Sequence, residues 1–94
     1  MAVSPPNPPA WFVYLVRCQD GTFYCGLAKD PARRLAEHNS ADKGAKYTRG
    51  RRPVQLVYTE EVASRAKATK REGQIKRMAR TQKMALIKDG TSQQ

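Results

Sequence analysis

The sequence predicts an α+β domain in which a small three-stranded, largely antiparallel sheet is flanked by helices, in the element order β-β-α-β-α-α. Three observations predict it. Two β-branched and aromatic runs flank the turn pair Asp20-Gly21; Asp30-Pro31 forms a helix start; and two helical stretches close the chain after a third apolar run.

Residues 1–10 contain Pro5, Pro6, Pro8 and Pro9, so this segment can form neither a helix nor a central strand and is expected to be a disordered tail. The domain proper is expected over residues 11–89. Trp11 to Arg17 and Thr22 to Leu27 make a hairpin. Its first strand is apolar on both faces, which places it centrally with packing on each side. Asp30 caps a helix whose first residue is Pro31 and which runs to about His38. Residues 39–52 are polar and glycine-punctuated, a loop. Val54 to Tyr58 reads as the third strand, ending in Glu60-Glu61. A helix is expected from about Ala63 to Met78 and a shorter one from about Thr81 to Lys88, stopping near Asp89-Gly90 and leaving residues 90–94 as a flexible C-terminus.

Composition narrows the function classes. A 94-residue chain buries roughly 60% of the surface it exposes when unfolded, too little to enclose a large cofactor cavity, so any chemistry belongs in a shallow surface cleft. The 18 Lys and Arg against 8 Asp and Glu give a formal charge of +10, which suits a polyanionic partner, nucleic acid first. A membrane is the rival partner, but no stretch approaches the length of a spanning helix, and the basic helices carry too few bulky apolar residues to insert. Cys18 and Cys25 fall in neighbouring strands with no leader in front of them, which fits a reduced cytoplasmic protein. With no further cysteine in the chain, they read as small buried apolar residues and not as half of a zinc site.

The eight acids can be weighed one by one. Asp20 belongs to the hairpin turn and Asp30 to the helix cap; Glu37 can pair with Arg33 one turn back; Asp42 and Asp89 sit in loop or terminal positions. Glu60, Glu61 and Glu72 remain. The helical stripe from Ala68 through Ile75 to Ala79 passes through Glu72, which therefore either pairs with Lys76 at the stripe's edge or holds a metal in a cleft beside the sheet. No close acid pair suits a two-metal phosphodiesterase, whereas one hard cation on one carboxylate plus waters is compatible with the composition.

Tyr14 and Tyr24 can meet on one sheet face across the hairpin, either as ordinary strand aromatics or as two hydroxyls sharing a site. Gly26, a poor strand former, marks a bulge or a close approach by a substrate backbone. Arg34 and His38 share a helix face, with Arg33 and Glu37 on the adjacent one. The first pair either grips a phosphate jointly or is a solvent-facing arginine and a helix-end cation.

Taken together, these residues resemble the GIY-YIG nuclease superfamily, and within it the small stand-alone bacterial proteins, over roughly Trp11 to Lys88. Phe12-Val13-Tyr14 and Tyr24-Cys25-Gly26 stand at the two signature tripeptides. Asp30 through Asn39, Gly44 through Thr48, Arg52-Pro53-Val54 and Lys70-Arg71-Glu72 follow in the order of the subfamily's own markers. Phe12 replaces the glycine of the first tripeptide and Cys25 the isoleucine of the second; both changes spare the tyrosines. The resemblance implies the GIY-YIG fold and a metal-dependent endonuclease that hydrolyses DNA phosphodiester bonds. Its substrates would be structured or branched DNA, in repair or recombination. Tyr24, or Tyr14 beside it, would be the general base or orient the attacking water. Arg34 would bind the scissile phosphate, His38 would assist phosphate or leaving-group chemistry, and Glu72 would hold a single Mg²⁺ or Mn²⁺. A phosphate-positioning surface is expected from Lys43, Lys46, Arg49, Arg51, Arg52, Lys70, Arg71 and Lys76. The same basic surface would serve an alternative, a nucleic-acid-binding module that does not cut or cuts only with a partner. RNA is also open, because backbone contacts do not distinguish the sugars.

Overall fold

The computed structural model describes residues 11–40 and 50–92. The expected tail at residues 1–10 and the basic loop positions Lys43, Lys46 and Arg49 lie outside them.

β1 (Trp11–Arg17) is the middle strand of a three-stranded antiparallel sheet, with β2 (Phe23–Ala28) on one side and β3 (Gln55–Val62) on the other. The cause lies in four consecutive residues. Val13, Tyr14, Leu15 and Val16 are all buried. Because successive strand residues point to opposite faces, such a run needs cover on both sides. Val13 and Leu15 pack with Cys25, Ala68 and Ile75, while Tyr14 and Val16 pack with Cys18, Val54 and Leu35. The first face is covered by α2 (Arg65–Lys76) and α3 (Arg80–Ser92), the second by α1 (Pro31–His38). The expected element order and the central place of the first strand are both found.

Local starts and stops follow capping chemistry. The Asp30 carboxylate accepts from the Arg33 amide at 3.1 Å and Pro31 opens α1. Ser64 Oγ accepts from the Lys67 amide at 3.1 Å and opens α2, inside the expected Ala63–Met78 span.

Two boundaries and one strand register differ from expectation. β3 runs on through Glu60 and Glu61 to Val62, because β1 offers paired backbone partners for its whole length and Arg71 receives the Glu60 carboxylate. A register shift opposite Leu15 and Val16 leaves Val57 as an extra residue, so Val57 and Tyr58 both pack against the α2–α3 face. α3 does not stop at Gly90 but continues to Ser92. A Cβ on Gly90 would come within 2.9 Å of the Tyr58 ring. This glycine therefore lets the helix lie close to β3 where isolated propensity would end it.

Cys18 and Cys25 are free, buried thiols belonging to the two different faces. Burial pushes the Cys25 thiol up to about 11, with the Glu72 charge adding to the rise, so it stays protonated near neutrality.

Candidate active site

The α1 face of the sheet carries polar groups inside its packing. Tyr14 is 1% exposed and His38 fully buried. A buried hydroxyl and imidazole must satisfy each other or find other partners, and here Tyr14 Oη lies 2.8 Å from His38 Nε2. The tyrosine reaches that position by lying over its cross-strand partner Gly26. A Cβ on Gly26 would stand 2.5 Å from the Tyr14 hydroxyl oxygen and 2.7 Å from Cζ. The space left by the missing side chain is thus filled by Tyr14 itself, and not by a bulge or an approaching substrate backbone. Tyr24 sits diagonally across the hairpin, opposite Val16. His38 stands edge-on to both phenols, 5.9 Å from the Tyr14 ring centroid and 5.2 Å from that of Tyr24. Tyr24 is half-buried, the more accessible of the two hydroxyl-bearing rings.

His38 is held by the residue that follows it. Asn39 Nδ2 donates to the Val54 carbonyl at 3.1 Å and Asn39 Oδ1 accepts from the Val54 amide at 2.8 Å. That pair of hydrogen bonds ties the C-terminal end of α1 to Val54, immediately before β3. Sequence reasoning gave Asn39 no role. The signal was available: an amide side chain directly after the helix-end histidine can offer one donor and one acceptor to a strand backbone.

Arg34 projects from the same helix and joins the cluster electrostatically, lowering the Tyr14 pKa against the effect of burial. The expected Arg33–Glu37 ion pair is present, with Arg33 Nε 3.7 Å from Glu37 Oε2 and the Arg33 side chain 79% exposed. Glu37 also takes Arg34, whose Nη1 donates to Oε1 at the shorter distance of 2.7 Å. The i,i+3 partner wins because Arg34 faces the sheet, where less water competes for the carboxylate.

Protonation follows from these surroundings. Burial, reinforced by the neighbouring Tyr24, raises Tyr14 to about 12. Burial and the Arg34 cation lower His38, so its imidazole is neutral near pH 7 and Nε2 can accept the Tyr14 proton. The Arg34 pKa rises because its hydrogen bond to Glu37 favours the charged form.

Glu72 stands apart from this group. It lies on α2, whose Ala68 and Ile75 pack on the opposite face of the sheet, and its carboxylate is 3.6 Å from the Lys76 ammonium. Of the five expected site residues, then, Tyr14, Tyr24, Arg34 and His38 come together, and Glu72 lies on the helix of the other layer. Among the described residues no group of three His, Cys, Asp or Glu could enclose a metal.

Several expected phosphate contacts have structural work to do. Arg51 Nε donates to Asp20 at 3.0 Å, Arg52 Nη1 to the Ser40 carbonyl at 2.7 Å, and Arg71 Nε to both Glu60 oxygens at 2.9 and 3.1 Å. Lys70 and Lys76 are exposed on α2.

Fold and cluster together define a class: a small α+β domain whose buried tyrosine–histidine pair, second tyrosine and arginine gather on one side of a three-stranded antiparallel sheet. Residues 10–85 match the model of the GIY-YIG catalytic domain, and the chain belongs to the GIY-YIG nuclease superfamily. It is 56% identical over 80 residues to a UPF0213 protein of Desulfotalea psychrophila, covering 85% of this chain and 73% of that one. To a UPF0213 protein of Halobacterium salinarum it is 54% identical over 75 residues, with 80% and 96% covered. Two solution structures share the fold. A protein of E. faecalis superimposes with a TM-score of 0.59 at 42% identity over 88% of each chain. The UPF0213 protein of Bacillus halodurans gives 0.54 at 39% identity, over 84% of this chain and 83% of that one.

Proposed function

We propose that this protein is a cytoplasmic, metal-dependent endonuclease that hydrolyses DNA phosphodiester bonds, with branched or flapped DNA as its preferred substrate in repair or recombination. The observation that carries the reading is the buried Tyr14–His38 hydrogen bond with Arg34 and Tyr24 around it. A core this small bears such polar groups at a cost in stability that packing alone does not require. Family membership adds the class of reaction.

In this reading Arg34 leaves Glu37 for the scissile phosphate and offsets charge developing on its oxygens. Tyr24, the accessible phenol, orients the attacking water. Tyr14 keeps its proton near neutral pH and, with His38, fixes the floor on which the reacting groups sit. His38 can take up a proton handed on through Tyr14.

Glu72 fits a hard divalent ion. Its side chain is 20% exposed, and its ion pair with the half-exposed Lys76 is long and easily exchanged. One carboxylate completed by waters is a usual setting for Mg²⁺ near phosphates. Bound there, Mg²⁺ or Mn²⁺ would supply charge neutralisation at the phosphoryl oxygens.

The deciding experiment is cleavage of a branched DNA with Mg²⁺ and with Mn²⁺ by wild type, Arg34→Ala and Glu72→Ala. Both variants should lose activity. Undiminished cleavage by both would remove the assigned site. One observation favours a second reading, a binding module that needs a partner to cut: Arg34 is engaged by Glu37 at 2.7 Å. Salt-sensitive DNA binding with no cleavage by pure wild type would select it.

A further inference from the structure

On the sheet face turned away from Tyr14 and His38, the hairpin end of the sheet and α3 leave a cleft of about 150 Å³ lined by Arg17, Phe23, Val57, Met84, Ile87 and Lys88. Each wall has a local cause. Arg17 and Phe23 are cross-strand partners and so share a face. Val57 is the extra residue of the β3 register shift. Met84, Ile87 and Lys88 fall at i, i+3 and i+4 on α3 and line up on one side of the helix. The Arg80 guanidinium lies 4.9 Å from the Phe23 ring centroid and donates to the Gly21 carbonyl at 2.6 Å, which holds the ring in place.

The cleft has an apolar floor and a cationic rim. Among the described residues neither Arg17 nor Lys88 forms an ion pair. Met84 is, among the described residues, the large apolar side chain left exposed, at 49%. Size limits the occupant: a cavity of about 150 Å³ with Leu, Ile and Phe walls takes a benzene-sized ring, whereas drug-sized ligands occupy roughly 300–1,000 Å³. Charge limits it further. The edge of a planar aromatic ring with an anion on either side matches a floor flanked by two cations. A second copy of this chain, itself at +10, would be repelled.

We propose that this cleft receives one unpaired nucleotide of a nucleic-acid strand. Its base rests against Phe23 and Met84, and its flanking phosphates lie on Arg17 and Lys88. A paired base cannot enter, because its neighbours in the stack cover both faces; every unpaired base can, because each has a π-face. The proposal rests on the reading that nucleic acid is the partner, and adds to it a preference for strands with unpaired ends, read on the side of the sheet opposite the tyrosines.

Binding without cleavage isolates the test. Fluorescence anisotropy in EDTA would compare a DNA hairpin bearing a short single-stranded tail, the same hairpin with an abasic tail, and a blunt hairpin. Wild type should bind the natural tail more tightly than the abasic one by roughly 5- to 10-fold, the low end of base stacking on an aromatic platform. Met84→Glu, at an exposed position that leaves the fold's melting temperature intact, should abolish that preference, and Met84→Leu should keep it. Arg17→Gln with Lys88→Gln should weaken tail binding more than blunt-end binding. Equal affinity of wild type for natural and abasic tails overturns the proposal while leaving the nucleic-acid reading standing, as does a preference that survives Met84→Glu. Binding to none of the three hairpins overturns both.

Discussion

The two faces of the sheet are built from the same strand and do opposite things. On one, Val13 and Leu15 meet Cys25, Ala68 and Ile75 in an apolar layer; on the other, one residue over, Tyr14 meets His38, Tyr24 and Arg34. The difference teaches how a domain with so little interior combines stability with polar chemistry. The α2–α3 face carries the larger apolar cluster, and apolar stabilisation scales with area removed from water. The α1 face can then hold hydroxyl, imidazole and guanidinium groups whose desolvation is offset by their bonds to one another.

The division can be broken most forcefully on the apolar side. Ile75→Ala, at a fully buried position, should lower unfolding free energy by about 2–5 kcal/mol, measured by urea denaturation. A loss below one kcal/mol would mean that α2 contributes little to the core. Arg34→Ala should do the reverse: cleavage of branched DNA should fall by ~10²–10³-fold, with a melting temperature close to wild type. If instead the variant unfolds while its folded fraction cuts normally, Arg34 belongs with the structural residues.

Gly26→Ala joins the two measures, since the added Cβ meets the Tyr14 phenol. It should cost about 1–3 kcal/mol through overpacking and displace the Tyr14 ring from His38, so that activity falls further than stability. Unchanged activity would show that the Tyr14–His38 geometry is not required.

The smallest effect is a pH limb that belongs to one face. His38 has a folded pKa below its ordinary value near 6.5, so below that pH the unfolded chain binds the proton more readily and stability falls as pH drops. The chain has no other histidine. His38→Gln should therefore flatten thermal stability between pH 6.5 and about 5, above the range where carboxylates titrate. At the alkaline end both faces contribute, because Tyr14 and Tyr58 are each raised from 10.0 to about 12. The unfolded chain releases these protons first, so stability should fall as pH rises through that interval. A limb below pH 6.5 that persists in His38→Gln would assign it to another group.

Most of the fold was legible because its signals are local. The apolar-on-both-faces run of β1, the Asp20-Gly21 turn and the Asp30-Pro31 helix start each act within a few residues, and all are found where expected. Gly90 was misread for the complementary reason: propensity marks a helix end, and the Tyr58 ring that rewards a close approach lies on another element.

The candidate site divides in the same way. Resemblance to the superfamily singled out Tyr14, Tyr24, Arg34, His38 and Glu72, where patterning alone left each of them an ordinary structural reading. Tertiary structure decided where they sit: that Glu37 takes Arg34, that Tyr14 fills the space over Gly26, that Asn39 secures His38, and that Glu72 stands on the opposite layer. Sequence by itself determines periodicity, capping and charge, because those depend on neighbours along the chain. Which carboxylate meets which guanidinium, and which hydroxyl loses its water, depends on how sheet and helices stack, and only the assembled fold sets those distances.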